Sequence, residues 1–535
     1  MTTRNDDQDH RAERPAALTR RRVVAGAAGL GLAAPFAGLR LGTVAAQEAS
    51  PVPVSGGILK VGLQADPTAL DAQKQSLTAI WHVVEHIYDG LTRVRPDLTV
   101  EPALAERWEI SDDGLTYTFT LREGVLFHDG TPLKASDVKF TFERLVDPAT
   151  ASTSAAELAS MESVEAPDDR TVVMTLTQPD ASLLTTLAGA SVLIYSQAFV
   201  EANNNDVSQV AMGTGPFVFR EYVPNTRIVL DRNPNYWEEG LPYLDGIEMT
   251  IAADDTSRTT AVVTGTVDFI EYAPLRDIEL LRQDPSLTLA GDANTNIRFI
   301  GFNLTREPFS NPLVRQAIAA VVDREAMLGP TVYGNGTPTA TLFPETFWAA
   351  LPAELPAPDA ERARELLTEA GYPDGFSTTI TSWSQYSFLS NAALVLQEQL
   401  RQIGIEAELN LVENATMVEQ VYTGKTFDLA VTGESAYVDP NTLILGNFGT
   451  GEAGNFAGYS NPEVDELIAQ GIAVTDQAER AEIYRQIQEI LLADLPWVNL
   501  FIANQYEAMK GYVKGYQHIP NGSNIAFRTT YLDKG

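Results

Sequence analysis

The stretch from Pro102 to Leu145 constrains the fold of this chain more than any other part of it. It reads PALAERWEISDDGLTYTFTLREGVLFHDGTPLKASDVKFTFERL. From Leu115 to Leu121 the residues alternate, with Tyr117, Phe119 and Leu121 on one side and Thr116, Thr118 and Thr120 on the other. A period of two with one apolar face marks a strand buried on one side. His128-Asp129-Gly130-Thr131-Pro132 is a turn cluster. Ser136 or Asp137 is then expected to cap a helix whose inner face is Val138, Thr141, Phe142 and Leu145. The local physics of the stretch is therefore strand, turn and capped helix.

The chain has 535 residues, which calls for more than one domain, and at 44% hydrophobic it can bury large cores. It carries 37 basic against 71 acidic residues, a formal charge of −34. Most of such a surface repels nucleic acid and anionic lipid, so no nucleic-acid partner is expected. There is no cysteine, which removes disulfides, thiol catalysis and zinc–thiolate sites. Past the N-terminus no apolar run reaches the roughly 20 residues that span a bilayer.

Residues 1–46 read as an export signal, and 47–56 as a polar linker containing proline. Thr19-Arg20-Arg21-Arg22-Val23-Val24 resembles a twin-arginine motif, an apolar Gly/Ala-rich run follows, and Val44-Ala45-Ala46 offers small residues for cleavage. The alternative is an ordinary secretory signal or a basic tail. Val23-Val24 stands where a twin-arginine signal usually has Phe-Leu.

Four further strings extend the pattern of the opening stretch. Asp89-Gly90-Leu91 ends a helix, Gly213-Thr214-Gly215-Pro216-Phe217 turns into a strand, Arg232-Asn233-Pro234-Asn235-Tyr236-Trp237 precedes Leu241-Pro242-Tyr243-Leu244-Asp245, and Gly371-Tyr372-Pro373-Asp374-Gly375-Phe376 follows a helix. Within the opening stretch stand Leu104-Ala105 with Trp108, Asp113-Gly114 with Tyr117, Phe119 and Leu121-Arg122, Phe127 with Asp129-Gly130 and Pro132, and Ala135 with Asp137-Val138 and Phe140. Together these closely resemble the signature of the family 5 extracellular solute-binding proteins, the peptide and nickel class of ABC importers.

The resemblance implies an α/β, two-lobed periplasmic-binding-protein-like clam (type II, cluster C) with an extra α+β domain in the first lobe. On that reading lobe I comprises 57–95, 213–297 and 506–535, the extra domain 96–212 and lobe II 298–505. The chain crosses between lobes on the strand from Asn296 to Asn303 and again over Val498 to Gln505. It implies a monomer that holds a peptide or other small organic solute between the lobes, catalyses nothing, and delivers the solute to an ABC permease driven by a separate ATPase. A ligand that bridges both lobes binds the closed form better and so populates it. The expected location is extracytoplasmic, in the periplasm or on the outer face of the cytoplasmic membrane, reached through the twin-arginine export machinery. With no cysteine there is no lipid-modified Cys anchor of the kind many bacterial binding proteins carry.

The sequence departs from the short-peptide members where they hold ligand charges. Those members resemble one another at G-W-x-x-D-x-x-D-P, whose inner Asp meets the peptide amine. Here the segment is Gly433-Glu434-Ser435-Ala436-Tyr437-Val438-Asp439-Pro440, one residue shorter and without that Asp. Dipeptide binders also place an Arg for the carboxylate where Ser377–Gln399 here has none. A buried unpaired ligand charge costs several kcal/mol, so zwitterionic dipeptides fit poorly. The expected ligand-binding residues are instead Trp383, Tyr386 and Tyr437 as stacking surfaces, Glu434 facing a cation, and Gln64 and Asp66 on the loop after the first strand.

Two strings compete with this reading. His82-Val83-Val84-Glu85-His86 fits the H-x-x-E-H pattern of one zinc peptidase class, so the alternative function is a secreted zinc metallohydrolase. Catalytic zinc needs a third protein ligand and an open position, and the remaining histidines are His10, His128 and His518. On the main reading no metal and no cofactor is expected. Gly449-Thr450-Gly451-Glu452-Ala453-Gly454 fits G-x-G-x-x-G, but it lacks the helix that must follow directly to hold a pyrophosphate.

Overall fold

The computed structural model describes residues 53–75, 77–434 and 438–535. The export signal read over 1–46 lies outside the described residues, as does Tyr437. The elements that position the site are β1 (Ile58–Leu63), α1 (Thr78–Val84), β2 (Leu287–Phe302), α2 (Arg324–Val332), β3 (Phe376–Trp383), α3 (Ser387–Arg401), β4 (Leu429–Glu434) and β5 (Trp497–Lys510).

An eleven-stranded sheet runs in the order Ile405–Val412, β3, β4, β2, β5, Phe269–Ile270, β1, Gly246–Ile251, Arg227–Arg232, Phe217–Val223, with Gly336–Pro338 paired to β5 off that path. β1 is parallel to both of its neighbours, and so is β3. A strand covered on both faces reads as an apolar run, as Leu429-Ala430-Val431 of β4 does. At the β1 end Leu59, Val61, Val83, Ile87, Phe217 and Ile247 pack into one core. At the β3 end Ile318, Leu396, Ile405 and Val431 pack into another, beside a third around Phe299, Phe448, Phe456 and Trp497. These are the two lobes.

β2 and β5, 16 and 14 residues long, run antiparallel from one lobe to the other. Leu287 faces Lys510 at one end and Gly301 faces Trp497 at the other, with the register breaking between Ala293 and Ile297. Both strands extend further than the sequence reading placed them. Gly291-Asp292-Ala293-Asn294-Thr295-Asn296 has little intrinsic strand preference, and pairing with β5 overrides it. Gly291 sits at φ +118°, and a Cβ there would lie 2.1 Å from the Gln505 carbonyl oxygen. Only glycine lets the two crossing strands approach so closely.

The opening stretch supplies the first two strands of a four-stranded antiparallel sheet in the order Ala105–Ile110, Thr116–Leu121, Thr171–Leu176, Met161–Glu165. Tyr117, Phe119 and Leu121 enter its core together with Val138, Phe142 and Leu145 from the helix Ala135–Val146. The helix begins earlier than a Ser136 or Asp137 cap requires, after Lys134. Asp137 instead lies in the first turn, where its carboxylate accepts the backbone N–H groups of Lys134 and Gln197, each at 3.0 Å. Asn311, Asp359 and Asn461 cap their helices through side-chain oxygens.

Candidate functional site

α1 turns Ile80, Val83 and Val84 into the first-lobe core. Thr78, Trp81, His82 and Glu85, spaced by three and four, therefore share another face of the same helix. That face lines a cavity of about 190 Å³. The other walls are Glu157 and residues 188–191 of the small-sheet domain, residues 521–523 and Ile525 near the C-terminus, and Val438 from the second lobe. A further cavity of about 200 Å³ adjoins it, lined by Gln64, Ala65, Ala79, Glu271 and Tyr272. Thr78 and His82 belong to both walls and form the partition between them.

A buried acid–base network sets the charge of this partition. His82 Nδ1 is 2.5 Å from Glu271 Oε2, and the His82 ring stacks on Tyr272 with centroids 5.7 Å apart. Glu271 also accepts the Gln64 backbone N–H at 2.7 Å and the Asn524 side-chain amide at 3.2 Å. Glu85 accepts the Ser523 hydroxyl at 2.6 Å and the Asn524 N–H at 2.5 Å. Burial alone would lower the His82 pKa, but the charge and hydrogen bond of Glu271, helped by Glu85, raise it to about 9. Burial works against ionised Glu271 too, yet His82 holds it below the usual carboxylate range. Glu85 is pushed above that range by burial, which outweighs His82 and the Ser523 hydrogen bond. At neutral pH the pair is therefore an imidazolium and a carboxylate bonded to each other.

This arrangement overturns the zinc metallohydrolase reading of the same helix. His82 is engaged by Glu271. His86 is fully buried, stacks on Phe527 at 5.0 Å and has no hydrogen-bond partner among the described residues for either ring nitrogen. Burial drives its pKa down to about 3, with the His82 charge adding to the effect. Among the described residues no group of three or more His, Asp or Glu side chains is arranged to hold a metal ion. The i,i+4 spacing was real, but one histidine belongs to an ion pair and the other to the core.

The sequence-derived ligand residues fall in several places. Gln64 is exposed in the wall of the adjoining cavity. Asp66 turns back onto its own lobe, accepting the Tyr222 hydroxyl at 2.8 Å and the Asn225 N–H at 3.0 Å. Trp383 packs between the two second-lobe cores, its indole N–H 3.3 Å from the Thr432 hydroxyl. Tyr386 stands exposed at the start of α3, edge-on to Trp383 at 5.7 Å. Glu434 closes β4, half-buried, and faces Ile297 across the sheet. None of Asp66, Trp383, Tyr386 and Glu434 lines the two cavities.

Asp439, at the end of the shortened segment, is structural. It caps the helix Pro440–Phe448 and takes Arg480 bidentately, both bonds 2.8 Å, which fixes the neighbouring Val438. Trp81, Glu157, Tyr272 and the 521–525 segment were not identified from sequence. They are far apart in the chain, and no local pattern brings them together.

The model of the bacterial extracellular solute-binding proteins, family 5, matches residues 99–456, more than half of the chain. The chain belongs to this family. As a family 5 member it is 31% identical over 468 residues to the glutathione-binding protein GsiB of Escherichia coli K12, covering 85% of this chain and 90% of that one. Among solved structures it is similar to the binding protein AgaA of A. tumefaciens R10 in complex with agropinic acid, at 31% identity and a TM-score of 0.75, covering 90% of this chain and 99% of that one. The ABC transporter-associated periplasmic binding protein DppA of Helicobacter pylori, in complex with the peptide STSA, matches at 29% identity and a TM-score of 0.75 over 90% of this chain and 99% of that one. All three are binding proteins, and DppA is one associated with an ABC transporter. No helix among the described residues is long and apolar enough to cross a membrane.

Proposed function

We infer that this family 5 protein is the extracytoplasmic solute-binding subunit of an ABC importer, capturing a small organic solute between its lobes without altering the solute's bonds. The observation that carries the reading is the cavity on α1, whose walls come from the first lobe, the small-sheet domain and, through Val438, the second lobe. A solute there contacts both lobes and so favours their closed arrangement. We take lobe I as 57–95, 213–297 and 506–535, the extra domain as 96–212 and lobe II as 298–505. We assign a monomer, export through the twin-arginine signal at residues 1–46, and delivery to a membrane permease driven by a separate ATPase.

The chemistry of the walls narrows the solute. Glu85 and Glu157 line the main cavity and Glu271 the adjoining one, while no Lys or Arg lines either among the described residues. His82, the one cationic group there, is bonded to Glu271. A free carboxylate at that end of the ligand would find no counter-charge, whereas an amine or a set of hydroxyl donors would find acceptors. The ligands named for the relatives, a peptide, glutathione and agropinic acid, support a solute of peptide-like size. Calorimetric titration with glutathione and with matched tripeptides, free-acid and C-terminally amidated, tests this. Amidated peptides are expected to bind at least about tenfold tighter than their free acids. A consistent preference for the free acids would overturn the assignment.

A further inference from the structure

Of the carboxylates in or next to the walls of the cavity on α1, Glu85, Glu271 and Asp439 are committed within the protein. The Ser523 hydroxyl donates to Glu85 Oε2 at 2.6 Å and the Asn524 N–H donates to Oε1 at 2.5 Å. Glu271 accepts the Gln64 N–H on Oε1, and bonds His82 and the Asn524 side-chain amide through Oε2. Asp439, beside the wall residue Val438, gives both oxygens to Arg480. Glu157 is the exception. It lines the cavity and is exposed. Its Oε2 accepts the Ser191 hydroxyl, while Oε1 has no hydrogen-bond or ion-pair partner among the described residues.

The small-sheet domain holds this carboxylate in place. Glu157 lies in the short 3-10 turn Ala155–Leu158, and Ser191 in the turn Ala190–Val192. Leu158 and Val192, the chain neighbours of the two residues, are both buried in that domain's core. The acceptor is therefore set before any solute arrives, which reduces the ordering cost of binding. An ion pair at an exposed carboxylate is worth little in water, but a solute that fills the cavity displaces that water and strengthens the attraction. Val94, Leu193, Val438 and Ile525 supply apolar wall around it. We propose that Glu157 is the specificity-determining residue of this cavity and receives a protonated amine of the solute, whose uncharged body packs on the apolar wall. The inference rests on the assignment of this cavity as the solute site, and it narrows the choice there between an amine and a set of hydroxyls to the amine.

The probes are trialanine amide, which carries a free amine, and N-acetyl-trialanine amide, which does not. Calorimetric titration of the wild-type protein is expected to show the free amine binding at least about tenfold tighter, the range of one hydrogen bond between charged groups. Glu157→Gln keeps the shape of the side chain and its bond to Ser191 but removes the charge. It is expected to bring the free amine down to the affinity of the acetylated peptide, while the acetylated peptide stays within about twofold of its wild-type affinity. Glu157→Lys is expected to weaken the free amine further than Glu157→Gln does, because like charges then meet. If Glu157→Gln weakens both peptides alike, the side chain only maintains the wall; if it weakens neither, the amine sits elsewhere. Either result overturns the role of Glu157 and leaves the cavity as the solute site. Wild-type protein that binds neither peptide would overturn the peptide-like solute class itself, and this inference with it.

Discussion

His82 and His86, one helical turn apart, show how neighbours rather than residue type decide a side chain's role. The first is raised to about 9 by Glu271 against the effect of burial, and the second is lowered to about 3 by burial itself. The two shifts act on stability in opposite directions. The His82 contribution is complete below the unfolded pKa of about 6.5 and is lost as pH rises through about 9. The His86 contribution is complete above that same unfolded value and is lost as pH falls toward about 3. The part of stability due to this pair is therefore expected to peak near pH 6.5, the unfolded value, and to fall on both sides of it, toward about 9 through His82 and toward about 3 through His86. NMR titration of the imidazole carbons checks the assignment directly: one resonance should titrate near 9 and another should stay neutral through the mildly acidic range. Two histidines titrating together near 6.5 would contradict it. The sequence displayed both histidines and Glu85, but Glu271 lies 189 residues from His82. Without that partner the spacing suggested a metal.

At the scale of elements, the parts with strong local periodicity were legible and the crossing strands were only partly so. The alternation at Tyr117, Phe119 and Leu121 defines a strand because its partner face is a core. The Asn-Pro and Asp caps identify helix starts because the cap bonds are local. The polar first half of β2 gives no such signal; its strand character is imposed by fourteen-residue β5 alongside. Gly291 is the point where that pairing is tightest. Gly291→Val must displace the Gln505 carbonyl, 2.1 Å from where the new Cβ would stand. It is expected to reduce unfolding free energy in urea by at least about 2 kcal/mol, the range of overpacking and backbone strain. A variant as stable as wild type would mean that β2 and β5 can separate freely at this point. The cavity-lining positions were harder to read than the fold. Family signatures fix the scaffold, whereas the cavity is assembled from α1, residues 188–191 and residues 521–525 by tertiary packing.

Across the whole molecule, two lobes joined by β2 and β5 suit a protein that changes the relation of its halves when it is filled. The register break between Ala293 and Ile297 interrupts the ladder within the linking strands, where a change in backbone angle disturbs the fewest paired groups. The central claim is that a solute bridging both lobes draws them together. The chain has no cysteine, so a single pair of spin labels can be introduced without background. Arg220→Cys lies on Phe217–Val223 and Glu408→Cys on Ile405–Val412, exposed positions on the two outermost strands of the sheet order. Pulsed electron–electron resonance on the doubly labelled protein, before and after saturation with the solute recovered by mass spectrometry from protein purified from its source, measures the separation of the lobes. One narrow, shorter distance on saturation, reverting to a longer or broader distribution when the solute is removed, is the predicted result; distributions that coincide in both states would contradict the account.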